Sequence, residues 1–219
     1  MTIGEIISLL RTTIKEHSDD SIFTDQELYL YLNSAANYIK REALDKNKKL
    51  TRKNFKSICV PLERVKFGNC DCIPDKFKCD VLKSKFEIPN FLWGSQNVYD
   101  IKGNYISYKR FVYLSRIKNH PAFKGITFDI IDNYLYIFGT LTLKTVLLEA
   151  LWEDVTKLAE IPECNDLGEP GGSNCYDVES DEFPLDESYI LLAFDTVLKS
   201  LNITFKLKDD NTENNRTDS

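Results

Sequence analysis

Histidine and methionine are almost missing from this chain: it has two His, His17 and His120, and one Met in 219 residues. So little imidazole leaves few groups for acid–base catalysis near neutral pH. The motifs that announce nucleotide, metalloprotease or nucleophile-elbow chemistry are absent too: there is no GxGxxG, no GxxxxGK followed by Ser or Thr, no HExxH and no GxSxG. The Gly171–Gly172 pair stands in an acidic stretch that would repel a phosphate. The Asp181–Glu182 carboxylates have no apolar surroundings in view to raise a pKa. An enzyme is therefore not expected, and no catalytic, cofactor-binding or metal-ligating residue is assigned. Cationic excess is lacking as well. The net charge of −6 argues against a protein that binds nucleic acid by neutralising phosphates. No apolar run is long enough for a membrane span. The opening "MTIGEIISLLRTTIKEH" is interrupted by polar residues too often for a signal peptide. These absences point to a cytosolic protein whose thiols stay reduced.

What is present suits a folded domain: 42% hydrophobic and 12% aromatic residues. Ile3, Ile6, Ile7, Leu10 and Ile14 recur at helical spacing and predict a first amphipathic helix. "FTDQEL" predicts the start of a second helix. Thr24 is its N-cap, Glu27 completes a capping box, and Phe23 and Leu28 are placed as a hydrophobic staple. Its apolar positions are Leu28, Tyr31, Leu32, Ala35, Ala36, Ile39, Ala43 and Leu44. From about residue 54 the period changes. "SICVPL", "NVYDI", "NYISYKRFVYLS", "GITFDII", "YLYIFG" and "TLKTVLLEALW" are short, β-branched and aromatic, and predict mostly antiparallel strands. Asp132–Asn133 suits a two-residue hairpin turn, and Gly103 a second hairpin. A helix is expected from about Glu149, and another along Ile190, Phe194, Val197, Leu198, Leu201 and Phe205.

The expected fold is α+β: a helical bundle formed by the N- and C-terminal helices, with an inserted antiparallel β-rich domain. The expected boundaries are a helical hairpin at 1–50, the β-rich insertion at 51–148, C-terminal helices at 149–208 with an acidic loop at 160–187, and a disordered tail at 209–219.

Two further features stand out. Cys70, Cys72 and Cys79 crowd into "NCDCIPDKFKCD". A structural zinc site would need a fourth ligand from Cys59, Cys164, Cys175 or a distant His. A disulfide formed late is a second reading, and ordinary loop thiols a third. Charge is also segregated. Residues 40–66 hold ten bases against three acids, and residues 160–187 hold ten acids and no base. Two solvated faces explain this. So would a contact in which the basic patch of one subunit meets the acidic loop of the next, a heterologous arrangement that can close a ring.

The opening "TIGEIISLLRTTIKEHSDDSIFTDQELYLYLNSAANYIKRE" resembles the start of head-to-tail adaptor, or tail-tubular ring, proteins of short-tailed bacteriophages. "IKNHPAFKGITFDIIDNYLYIFG" resembles their hairpin. "CDCIPDKFKCDVLKSKFEIP" is similar to a stretch in ring proteins of the crAss-like phages of gut bacteria. The resemblance spans about residues 2–206, and the acidic loop at 160–187 has no counterpart in it. It implies a virion structural protein, assembled in the host cytoplasm. Such a protein forms a homo-oligomeric ring, commonly twelvefold, that binds portal protein on one side and other tail proteins on the other. Genomic DNA passes through the lumen without specific binding. The alternative is a zinc-stabilised protein-interaction module of unrelated function.

Overall fold

The computed structural model describes residues 1–17, 23–48, 50–66, 80–110, 125–161 and 180–201. Its centre is a closed barrel of seven strands: β1 (Lys56–Lys66), β2 (Asp80–Ser84), β3 (Asn97–Asp100), β4 (Tyr105–Tyr108), β5 (Thr127–Ile131), β6 (Tyr134–Phe138) and β7 (Thr145–Ala150). The order around the barrel is β1-β2-β6-β5-β4-β3-β7, closing back on β1. All neighbours are antiparallel except β4 and β5, which run parallel.

Closure depends on β1. Its first half pairs with β7, from Lys56 opposite Ala150 to Pro61 opposite Thr145. Its second half turns to β2, from Leu62 opposite Ser84 onward. Pro61 sits at the changeover, where a residue without an N–H is least costly. Alternation along β1 sends Ile58, Val60 and Leu62 into the core, with Leu82, Val98, Ile106, Phe128, Leu135, Ile137, Val146 and Leu148 from the other strands. The β5–β6 hairpin turns on Asp132 and Asn133, both at positive φ (50° and 62°), the backbone that a tight two-residue hairpin demands. In β3–β4, Gly103 takes φ +80°.

Among the described residues three α-helices accompany the barrel: α1 (Ile3–His17), α2 (Asp25–Asp45) and α3 (Glu187–Ser200). The five isoleucine and leucine positions read from the sequence of α1 are all buried. α2 begins on Thr24, whose side chain accepts from the Glu27 N–H while the Glu27 carboxylate accepts from the Thr24 N–H at 2.8 Å. Its buried face holds Leu28, Leu32, Ala35, Ala36, Ile39 and Ala43 as expected and differs from the sequence reading at its margins. Tyr29 and Lys40 are inside, and Tyr31 is 41% exposed with its ring edge-on to Phe23.

The expected helical bundle with an inserted β-rich domain is overturned by this arrangement. The strands close on themselves, and the helices join the barrel's own core: one buried cluster runs from Ile3 and Leu32 through Val60 and Leu148 to Val197. The physical reason is that an open insertion would leave sheet edges unpaired, whereas β1, shared between β7 and β2, removes them. The helix expected from about Glu149 is also corrected. Glu149 and Ala150 belong to β7, and the chain then forms a short 3-10 segment, Val155–Glu160. β2 was not foreseen, since "DVLKS" offers only Val81 and Leu82 as signal. The tail at 209–219 lies outside the described residues.

Candidate interaction surfaces

The helices gather at one end of the barrel. Lys56 opens β1 opposite Ala150, the last residue of β7, so the chain enters from α2 and leaves toward the 3-10 segment at the same end. Hydrogen bonds secure this junction. Asn33 and Asn37, one turn apart on α2, both donate Nδ2 to the Glu153 carbonyl at 2.7 Å. Arg41 pairs with the Glu153 carboxylate at 2.9 Å. Tyr29 donates its hydroxyl to Asp154 at 3.0 Å. The Asp186 carboxylate does not cap α3. It accepts instead from Thr51 Oγ1 and, at 3.1 Å, from Asn54 Nδ2, fastening the start of α3 to the α2–β1 link.

With those groups engaged, the outward side of α2 is left to Leu30, Ser34 and Tyr38, which follow one another at four-residue steps. Leu30 is 57% and Tyr38 64% exposed. A groove of about 490 Å³ lies on one flank, lined by Leu30, Asn33, Tyr38, Asn90 and Glu153 among others. A larger one of about 730 Å³ lies between α1 and α2, lined by Ile7, Tyr29 and Leu30 with Glu5, Arg11, Asp25 and Asp154. Leu30 and Asp154 border both grooves.

The opposite end of the barrel carries the β3–β4 hairpin. Ile101 and Tyr105 are each 57% exposed there, and Tyr99 stacks edge-on to Tyr105 at 5.8 Å. Asp100 makes the turn rigid: its carboxylate accepts from the Lys102 N–H at 2.9 Å and from the Asn104 N–H and Nδ2 at 2.8 Å each.

The segregated charges read differently in three dimensions. Lys40 is fully buried, Arg41 pairs with Glu153, Lys46 with Glu42, and Arg64 with Asp80. Lys53 lines a common cleft with Glu182, Asp186 and Glu187 of the same chain. Three cations of the basic stretch are therefore paired within one subunit and a fourth, Lys40, is withdrawn from the surface. The sequence reading leaves Leu30 and Tyr38 off the apolar face of the helix but does not single them out as a surface stripe; their four-residue spacing with Ser34 was the available signal.

Cys70, Cys72, Cys79, Cys164 and Cys175 lie outside the described residues, as do His120 and Gly171–Gly172. Cys59, buried on β1, is disulfide-bonded, which corrects the expectation of wholly reduced thiols. Among the described residues no group of three or more His, Cys, Asp or Glu is placed to hold a metal ion.

A surface-rich, barrel-centred chain of this kind is matched by the phage tail ring protein 2 family over residues 5–219. The chain belongs to that family. It is 26% identical over 215 residues to Ring protein 2 of Bacteroides phage crAss001, covering 92% of this chain and 90% of that protein. It is thus a ring protein of a crAss-like phage and a structural component of the virion. Family membership sets aside the reading as a module of unrelated function.

Proposed function

We propose that this chain is one subunit of a closed homo-oligomeric ring, of about twelve copies by analogy with related adaptors, that connects the portal to the tail. The ring forms part of the channel through which DNA passes. The observation that carries this reading is the family match across residues 5–219. Two features add support. Exposed apolar surfaces lie at both ends of the barrel, where a ring subunit must meet neighbours. The net charge of −6 suits a channel wall, because a lumen dense in Lys and Arg would hold phosphates and slow DNA exit. Portal protein on one face and other tail proteins on the other are the proposed partners, with assembly in the host cytoplasm.

The test is imaging of assembled particles together with co-purification. The expected result is a ring of this chain next to the portal, with portal protein retained on an affinity-tagged copy. A chain located elsewhere in the particle, or one that never retains portal, would overturn the portal connection.

A further inference from the structure

The grooves beside α2 and the β3–β4 tip lie at opposite ends of one barrel. Asp100 is opposite Val146 near the start of β7, and Asn97 is opposite Glu149 near its end. Beyond β7 the chain stays extended: Leu92 donates to the Leu151 carbonyl and Glu153 to the Asn90 carbonyl, on either side of the Phe91–Trp152 bridge. Val146 to Glu153 therefore spans roughly 20 Å at the rise of a strand. Ile101 and Lys102 project beyond one end of that span, and Asp154 begins the other. Two such surfaces on one subunit can be satisfied only by two different neighbours, which is the requirement for a head-to-tail contact.

Their chemistry matches. The α1–α2 groove has the exposed Leu30 on its rim, the buried Ile3 and Ile7 behind it, and carboxylates in Glu5, Asp25 and Asp154. Its cation, Arg11, is paired with Asp25, so the groove keeps an acidic excess. The tip offers an exposed Ile101 and the ammonium of Lys102. The Asp100 carboxylate is turned inward onto three N–H donors and keeps its charge, so the turn is close to neutral overall and Lys102 is the cation it offers outward. The turn is also held in one shape, which lowers the ordering cost of docking. At about 730 Å³ the groove has room for both side chains.

We propose that neighbouring copies in the ring join head to tail, the Ile101–Lys102 tip of one seating in the α1–α2 groove of the next, with Lys102 against Glu5 and Asp154. The inference rests on the ring reading above and adds to it the contact that builds the ring.

Zero-length carbodiimide cross-linking of assembled phage particles, read by mass spectrometry, tests it. Within one chain Lys102 cannot reach these carboxylates, so any Lys102 link to Glu5, Asp25 or Asp154 joins two copies. That link is the expected result. Ile101→Asp and Lys102→Glu alter only exposed side chains. Each should leave the melting temperature of the free chain unchanged while lowering ring yield about tenfold or more. Copy-to-copy links found only elsewhere, or Lys102 linked only to another protein, would overturn the proposed contact while leaving the ring intact. Particles with no link between copies would overturn the ring reading as well. Variants that fold and assemble like the parent would overturn the contact alone.

Discussion

Trp152 donates its indole Nε1–H to the Lys56 carbonyl across 2.8 Å. One residue follows the end of β7 closely and the other starts β1, so this bond seals the barrel where the helices attach. The indole is 1% exposed and meets Phe91 edge-on, with ring centroids 6.0 Å apart. Trp152→Ala is expected to cost about 3–5 kcal/mol through the cavity it leaves. Trp152→Phe keeps most of the ring but strands the Lys56 carbonyl, at about 1–3 kcal/mol. Urea unfolding followed by circular dichroism gives both values. Equal costs for the two variants would deny the hydrogen bond a share.

Lys40 lies within the helical layer at 0% exposure, and its ammonium has no hydrogen-bond partner among the described residues. Burial lowers its pKa to about 8 from 10.5. Below pH 8 both folded and unfolded chains carry the proton, and the fold bears the full cost of a buried charge. Between pH 8 and 10.5 the unfolded chain holds more protons, so this group's contribution to stability rises with pH and the penalty is gone above 10.5. Lys40→Met should therefore stabilise the protein by about 3 kcal/mol at pH 7, an advantage that shrinks as pH rises. Unfolding of both proteins at pH 7 and pH 9.5 measures the change. A pH-independent difference would mean that the ammonium is not desolvated.

Thr24 caps α2 through reciprocal bonds with Glu27. Thr24→Ala should lower stability by about 1 kcal/mol, read from the urea midpoint. The bonds from the Thr24 backbone and side chain hold the Glu27 carboxyl below its ordinary pKa of 4.5. The box's contribution is therefore complete above that pH and lost as pH falls through the lowered value. The Thr24→Ala difference should narrow in acid.

Gly139 ends β6 at φ +95°, and a Cβ there would stand 2.7 Å from the Gly125 carbonyl oxygen. Gly103, at φ +80°, has open space around it. Both Ala variants bear the left-handed backbone cost of about 1–2 kcal/mol, but only Gly139→Ala also displaces a neighbouring chain. Gly139→Ala should therefore melt at a lower temperature than Gly103→Ala. The reverse order would show that the Gly125 segment yields freely.

Legibility in the sequence followed the range of the interaction. α1, the capping box at Thr24, the Asp132–Asn133 turn and the Gly103 hairpin were readable, because each depends on residues within a few positions of one another. Readings failed where a distant partner decided. Glu149 looked like a helix start, yet pairing with Ser57 and Asn97 holds it in β7. Periodicity puts Tyr31 on the apolar face and Lys40 in the basic stretch, yet the elements packed on α2 leave Tyr31 at the surface and bury Lys40. Leu30 and Tyr38 fall off the apolar face in the sequence, but that they form one exposed stripe shows only in the fold.

By itself, then, the sequence determined the first two helices, the C-terminal helix, most of the strands and the tight turns, and its likeness to phage ring proteins indicated the family. Only the tertiary structure decided that the strands close into a barrel through β1, that the helices gather at one end of it, and that exposed apolar surfaces remain at both ends. Local backbone preference and periodicity are encoded within a few residues. Closure, by contrast, depends on Lys56 meeting Ala150, 94 positions further along the chain, a pairing that shows only when the whole core is assembled.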